Sequence, residues 1–250
     1  LIYGVVQQID MLAVLEPVEH RATNITIPSD APPILSETPT SPYYGDEPIW
    51  ARRSDPRSVA MDGAGKVWLT GRVRGADEQP SYCTDTGNAF ADYFPIERGT
   101  RQAFKYDPET EEFSEIDTCF SADHNQLGED ERFYYGFRDG VGWIDVEIWE
   151  ETQDAEAAQG WCPTVLDTNG DGVISQGWTE PDAPIDPTLD HRIAYGCYSP
   201  AYNKADGTVW CSDNGLDDNT LMRLQLGDNP PESCIAEVYM PPPTIQNPSP

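Results

Sequence analysis

The sequence predicts an all-β fold: a β-propeller of four-stranded blades, incomplete within the chain and carrying long loop insertions. Three observations lead there. β-Prone segments recur in the same order, each pair flanking an Asp/Gly or Asp-Pro turn. Helix signals are almost absent, and 20 Gly with 23 Pro break the rest into turns. An ordinary β-sandwich with coincidental hairpins is the competing reading. The repeated succession of a Trp-bearing strand and a second hairpin favours blades.

Length and charge bound the class. The 250 residues suffice for one large domain or two small ones. With 15 Lys+Arg against 44 Asp+Glu, the formal net charge is −29. So acidic a surface repels nucleic-acid backbones and anionic membranes, and neither is expected as a partner. Seven Trp and 12 Tyr are too many large side chains for a disordered acidic tail. No apolar run approaches the roughly 20 residues that span a bilayer.

The elements follow in order. Leu1-Ile2-Tyr3-Gly4-Val5-Val6 reads as a buried strand with no charged leader, so preceding sequence is expected to have been lost. With Met11–Pro17 and Thr23–Pro28 it makes a partial blade over residues 1–28, Leu1-Ile2-Tyr3 standing where Val67-Trp68-Leu69 stands in the next. The repeat over about 56–117 places Ser58–Met61 and Val67–Thr70 around Asp62-Gly63. After an insertion at 75–99 come Gln102–Asp107 and Phe113–Ile116 around Asp107-Pro108. A divergent copy over 124–150 offers Phe133-Tyr134-Tyr135-Gly136 and Val141–Asp145. The last copy, 196–240, aligns Val209-Trp210 on Val67-Trp68 and adds Leu221–Leu224 and Ala236–Met240. An insertion at 152–191 holds the single credible helix, Asp154–Gln159, and Pro241–Pro250 reads as an extended linker. One blade cannot cover its own sheet faces, and rings have at least about four blades. Missing chain segments or a partner subunit are therefore expected to complete the propeller.

Six cysteines (Cys83, Cys119, Cys162, Cys197, Cys211 and Cys234) lie scattered through loops and strands. None forms a CxxC pair and only His20, His124 and His191 accompany them, which argues against a Cys/His zinc site. An even count favours disulfides and an oxidising compartment, secreted or periplasmic; free buried thiols are the alternative. Sequence does not fix the pairing, although Cys211–Cys234 would join two strands of one repeat. Asn24-Ile25-Thr26 fits a glycosylation sequon, a triplet too common to carry weight.

The strongest local motif is Asp167-Thr168-Asn169-Gly170-Asp171-Gly172-Val173-Ile174-Ser175. Oxygen ligands at loop positions 1, 3 and 5, a Gly at 6 and a carbonyl at 7 (Val173) match a calcium loop of EF-hand type. Position 12 departs from the pattern, being Trp178 where a bidentate Glu belongs, so Glu180 or Asp182 is expected to supply the missing carboxylate to a structural Ca²⁺. A turn without metal is the plainer reading. His124, near the start of the divergent repeat, is a candidate general acid/base, with a surface or structural role as the alternative. His20 falls in a hairpin and His191 in what reads as an exposed charged loop. Alternation puts Arg72 and Arg74 on one side of a strand, where they suit an anionic ligand group unless Asp or Glu side chains neutralise them. No G-x-S-x-G elbow, P-loop, Rossmann glycine signature or H-E-x-x-H is present.

The run from Asp62-Gly63 to Trp68, the Tyr106-Asp107-Pro108-Glu109-Thr110 hairpin and their recurrence resemble the streptogramin-lyase-like (virginiamycin B lyase-like) propellers. More closely, the chain is similar to large secreted bacterial proteins that join such a propeller to a carboxypeptidase-regulatory-like domain. Asp117-Thr118-Cys119-Phe120, the Asp167–Gly172 loop and Asn229-Pro230-Pro231 carry that closer match. The resemblance implies a propeller fold and export. Streptogramin lyases use a His and a metal-assisted elimination, but their catalytic residues do not align one by one onto this sequence. The reading favoured is therefore a ligand-binding or scaffold module; the alternative is a lyase or hydrolase acting on a cyclic ester or polysaccharide through His124.

Overall fold

A computed structural model describes residues 1–35, 51–213 and 220–240; the Pro241–Pro250 linker lies outside them. Sheet 1 comprises β1 (Ile2–Val6), β2 (Met11–Glu16) and β3 (Arg21–Thr26). The short strands β4 (Ile34–Leu35) and β5 (Ala51–Arg52) pair and lead into sheet 2: β6 (Arg57–Met61), β7 (Val67–Gly71), β8 (Gln102–Asp107) and β9 (Glu112–Ile116). Sheet 3 comprises β10 (His124–Leu127), β11 (Arg132–Phe137), β12 (Gly140–Asp145) and β13 (Gln159–Pro163). A two-stranded pair, β14 (Val165–Leu166) and β15 (His191–Arg192), precedes sheet 4: β16 (Cys197–Asn203), β17 (Thr208–Asp213), β18 (Leu221–Gln225) and β19 (Ile235–Tyr239). Each sheet runs antiparallel in chain order. This is the four-stranded unit the repeat predicts.

The sheets stack face to face, and a layer of apolar side chains fills each gap. Leu12 packs with Val67, Leu69 and Phe104 between sheets 1 and 2. Trp68, Phe120, Phe133 and Tyr135 fill the next gap, and Tyr134, Val141, Val209 and Met222 the last. Alternation along β7 explains the arrangement: Val67 and Leu69 face backward and Trp68 faces forward, so both faces are apolar.

Trp68 and Trp210 occupy equivalent strands. Trp68 pairs with Ala60 and Lys105 as the second strand of sheet 2, and Trp210 with Ala201 and Arg223 as the second strand of sheet 4. Sheet 1 matches strands two to four of that pattern, but the aligned residue is shifted by one. Tyr3, not Ile2, faces the following sheet, with its ring 6.4 Å from that of Tyr106. In a strand a one-residue slip exchanges the faces.

Turn chemistry holds the register. Asp62 Oδ1 accepts the amides of Ala64 and Lys66, Asp62 Oδ2 accepts Trp68 Nε1–H at 2.8 Å, and Gly65 supplies the left-handed residue (φ +82°). Among the described residues three short α-helices interrupt the sheets where one was expected. In α1 (Ala89–Tyr93), α2 (Val146–Thr152) and α3 (Ala155–Ala158), the carboxyl or amide oxygens of Asn88, Asp145 and Asp154 cap the first turn. Only α3 was legible, since the others are too short to show a helical period. The fourth strand of sheet 3 also lies at Gln159–Pro163, within the stretch read as insertion.

All six cysteines pair, as Cys83–Cys119, Cys162–Cys234 and Cys197–Cys211. The Cys211–Cys234 bridge suggested by the repeat is therefore wrong. Cys211 joins the neighbouring strand β16, and Cys234 reaches across to β13 of sheet 3. Three disulfides mark a protein that folds in an oxidising, extracytoplasmic compartment.

Candidate functional site

Parity of antiparallel strands puts several connections at one end. The first strands of sheets 2, 3 and 4 start at Arg57, His124 and Cys197. The 72–101 and 164–196 insertions and the β11–β12 turn all leave from that end. Between the 164–196 insertion, the β11–β12 turn and the starts of β10 and β16 lies a cleft of about 670 Å³ lined by Asp123, Arg138, Asp139, Glu180, Asp182, Arg192 and Tyr198. Gly136 forms part of its floor, where a Cβ would overlap the Cys197 carbonyl, so only glycine lets sheets 3 and 4 approach this closely.

Arg192 is the keystone of the rim. Its Nε donates to Glu180 at 2.8 Å, Nη1 reaches Asp139 at 3.3 Å, and the guanidinium lies 5.8 Å from the Phe94 ring centre. The hydrogen bonds from Arg192 hold the Glu180 carboxyl below its usual range. Asp123 is paired with Arg101 at 2.7 Å, and Arg101 also binds the buried Asp55. Among the described residues Arg138 and Asp182 have no hydrogen bond or ion pair, and Tyr198 is 40% exposed.

His124 opens β10 beside the cleft. Its ring stands 4.6 Å from Tyr198, edge to face, and its buried Nε2 has no hydrogen-bond partner among the described residues. No carboxylate of the described residues hydrogen-bonds to it. His191 is not in an exposed loop: it is buried in β15, with Nδ1 2.7 Å from Thr179 Oγ1. His20 sits in the β2–β3 hairpin at φ +52°, as expected.

Arg72 and Arg74 do not share a strand face, because β7 ends at Gly71. Arg72 Nη1 donates to the Pro32 and Arg53 carbonyls at 2.8 and 3.1 Å. Burial, with smaller contributions from Arg101 and Arg52, pulls its guanidinium below the ordinary value. Arg74 is buried and fully engaged with Asp117 (2.7 Å), Gln79 and the carbonyls of Gly75 and Thr118. Desolvation leaves Asp117 raised in spite of that partner.

The calcium-type loop adopts the turn its spacing demands. Asp167 Oδ1 accepts the amides of Gly170 (2.6 Å) and Asp171 (3.2 Å), and Oδ2 that of Gly172 (3.0 Å). Asn169 and Asp171 accept from Asp171 and Val173, and Gly172 takes φ +83°. Asp167, Asn169 and Asp171 are thus gathered over one turn. Glu180 and Asp182 are not brought to it; the first is spent on Arg192 and both line the cleft. Asp190 lies closer, its fully buried carboxylate accepting Ser175 N–H at 2.6 Å while Oδ1 has no partner among the described residues. Burial, and then the charges of Glu232, Asp190 and Asp171, push the Tyr93 hydroxyl up to about 12. Among the described residues no three His, Cys, Asp or Glu side chains converge at metal-ligating range.

Sequence reasoning missed Arg138, Asp139 and Tyr198. The signal was present in Asp139-Gly140, a hairpin turn whose end of the sheet follows from strand parity.

No protein-family model matches the chain, and no curated protein does. Two solved structures are similar in shape. One is PorZ of Porphyromonas gingivalis, described as an essential bacterial surface component of the type-IX secretion system. Its TM-score is 0.46 at 12% identity, over 93% of this chain and 26% of that one. The other is a luciferin-regenerating enzyme, with TM-score 0.37 at 10% identity, over 95% of this chain and 71% of that one. The chain thus spans about a quarter of PorZ. Likenesses this remote concern fold alone, and the propeller assignment stands on the stacked sheets themselves. No described helix is long and apolar enough to cross a membrane.

Proposed function

We propose that the chain works as a ligand-binding or scaffold module of an exported bacterial β-propeller, secreted or periplasmic, with the cleft receiving the ligand. The observation that carries this reading is the cleft's unspent chemistry: Arg138 and Asp182 stand unpaired among the described residues, near the exposed ring of Tyr198. One charge of each sign beside an aromatic ring suits a small polar ligand with a carboxylate and a cationic or hydroxyl group, such as a short peptide. Calorimetric titration of tripeptides and acidic oligosaccharides tests it. Arg138→Ala is expected to weaken binding at least about tenfold. A panel without a binder, or a variant that binds as tightly as the parent, removes the cleft from consideration.

His124 supports a second reading. His124 directly follows the cleft residue Asp123, and its buried Nε2 has no hydrogen-bond partner among the described residues, which suits a general acid/base for a lyase or hydrolase acting on a cyclic ester or polysaccharide. A metal ion would supply polarisation of the leaving group, as in the streptogramin lyases the sequence resembles. Turnover of a cyclic depsipeptide that vanishes in folded His124→Ala favours this reading. Absence of turnover in the parent eliminates it.

The 167–173 loop is proposed to hold a structural Ca²⁺ through Asp167, Asn169, Asp171 and the Val173 carbonyl, with water in the positions Glu180 and Asp182 leave unfilled. The gathered oxygens and the left-handed Gly172 support this. Calcium at a hundredfold excess over its dissociation constant is expected to add about 2.7 kcal/mol of stability relative to chelator. Asp171→Asn should cancel that gain, and identical melting with calcium and chelator refutes the site.

Completion of the propeller by further sheets, from a longer polypeptide or a partner subunit, is part of the same proposal. Its support is that the outer face of the β1–β2 hairpin is aliphatic and uncovered among the described residues, with Ile2 57% and Leu15 42% exposed and Met11 and Ala13 beside Val6 and Gly4; the outer face of sheet 4 is mixed, Leu221 and Tyr239 lying beside the Arg223–Glu237 ion pair.

A further inference from the structure

Arginines gather where sheet 1 meets sheet 2, at the end of the molecule that also holds the cleft. Arg52 ends β5 and Arg53 follows it, Arg57 opens β6, Arg72 follows β7 and Arg101 precedes β8. These are five of the 15 basic residues in a chain with 44 acidic ones. Among the described residues three carboxylates touch them. Asp55 is buried and shared, with Arg52 on Oδ1 at 3.3 Å and Arg101 on Oδ2. Asp123 takes the other arm of Arg101 at 2.7 Å. Asp10 is spent on the connecting backbone, where it accepts the amides of Arg53 and Asp55 and the Ser54 hydroxyl.

Arg53, Arg57 and Arg72 have no carboxylate partner among the described residues, in spite of the acidic excess. Neutral carbonyls position two of them. Arg72 Nη1 donates to the Pro32 and Arg53 carbonyls at 2.8 and 3.1 Å, and Arg53 Nη1 to that of Ala31 at 3.1 Å. A carbonyl orients a guanidinium but leaves its charge uncancelled. Nε and Nη2 of both have no acceptor among the described residues, and Arg53 is exposed. Arg57 Nε is buried and likewise without a partner. Like charges held together repel: Arg101 and Arg52 both act on Arg72, adding to the lowering that its burial imposes. The arrangement costs free energy by itself, and an anion relieves it.

We propose that Arg53 and Arg72, backed by Arg52, bind a compact tetrahedral dianion, a phosphate or sulfate group carried on a small ligand. Each guanidinium presents a rigid fork of N–H groups. Forks arriving from separate chain segments suit an oxyanion with three free oxygens better than a carboxylate with two. The remaining surface limits the ligand. At a net charge of −29 the chain repels extended polyanions, so a single charged group is admitted and a long sulfated or phosphorylated polymer is not. In this proposal Arg72 keeps the role its sequence suggests, and Arg53 replaces Arg74, which Asp117 neutralises. The site goes beyond the cleft reading, because Arg138 and Asp182 take no part in it.

Calorimetric titration at low ionic strength tests it, with inorganic phosphate, inorganic sulfate, glucose 6-phosphate and glucose 6-sulfate as probes. Both inorganic anions should bind with a dissociation constant of about 1 mM or tighter. Arg53→Ala and Arg72→Gln should each weaken that binding at least about tenfold, with near-ultraviolet circular dichroism confirming the fold. Arg21→Ala removes the same charge from an exposed pair with Glu19 at the far end of sheet 1, and should leave the affinity unchanged. Arg138→Ala should leave it unchanged too, which separates this site from the cleft. Whichever glucose ester retains the inorganic anion's affinity identifies the carrier as phosphorylated or sulfated. Loss of affinity in both esters overturns the assignment to a small organic ligand. No heat from either inorganic anion overturns the site, as does an Arg53→Ala variant that binds like the parent or an equal loss in Arg21→Ala.

Discussion

Sheets 2 and 4 begin from nearly the same local sequence and end in different surroundings. Both set a Val-Trp pair on the second strand after an Asp/Gly turn, and both bury the valine completely. Trp68 is then enclosed by sheet 3 and has no exposure, whereas Trp210 remains half-covered on the outer side of sheet 4. The side chain and its backbone conformation are dictated locally. Whether its area is removed from water is decided by the neighbouring sheet, and most of the stabilisation lies there.

The largest expected effect tests that contrast directly. Trp68→Ala should destabilise by about 3–5 kcal/mol, from a cavity against Phe133 together with the lost Asp62 hydrogen bond. Trp210→Ala, on the half-covered outer side of sheet 4, should cost only about 1 kcal/mol. Urea unfolding of both variants gives the comparison, and equal losses would show that the stacked-layer account misplaces the energy.

The disulfides sharpen the same contrast. Cys162–Cys234 ties sheet 3 to sheet 4 across 72 residues of sequence, and Cys197–Cys211 closes only 14 within sheet 4. Loop-closure entropy puts their contributions at about 4 and about 3 kcal/mol. Paired Cys→Ser variants should keep that order, and the Cys162/Cys234 variant should loosen sheet 4 before the remainder, as read by hydrogen exchange.

The smallest effect concerns the cleft rim. Arg192 holds Glu180 below its ordinary value of 4.5 in the folded chain. The contribution of that anchor is therefore complete above about pH 4.5 and is lost as the pH falls through the lowered folded value. Glu180 is 60% exposed, so the expected change is confined to a few-fold faster amide exchange near residues 179–192 in acid. Glu180→Gln should show the faster rate at every pH.

Strands and turns were legible because their signals are short-range: alternation around Asp62-Gly63, Asp107-Pro108 and Asp206-Gly207 fixes hairpins without reference to anything distant. Cysteine pairing was not, since Cys234 finds Cys162 only after sheets 3 and 4 have stacked. The same holds for His191, whose charged neighbours Asp190 and Arg192 suggested exposure although the chain there returns as a strand beneath the insertion. The cleft was half legible. His124 was flagged by its place at a strand start, but Arg138 becomes conspicuous only once Arg101 and Arg192 are seen to be spent on carboxylates.

The arrangement of connections at the cleft end has an evolutionary corollary. Residues 72–101 and 164–196 join strand ends that the layered interior fixes in place, and each is pinned to that interior by a few buried side chains, Cys83, Ala91 and Ile96 in one and Ile174 and Tyr195 in the other, so their exposed stretches can be rewritten or lengthened while those anchors stay. Specificity in proteins built this way is expected to drift rapidly at one pole while the architecture beneath it stays recognisable.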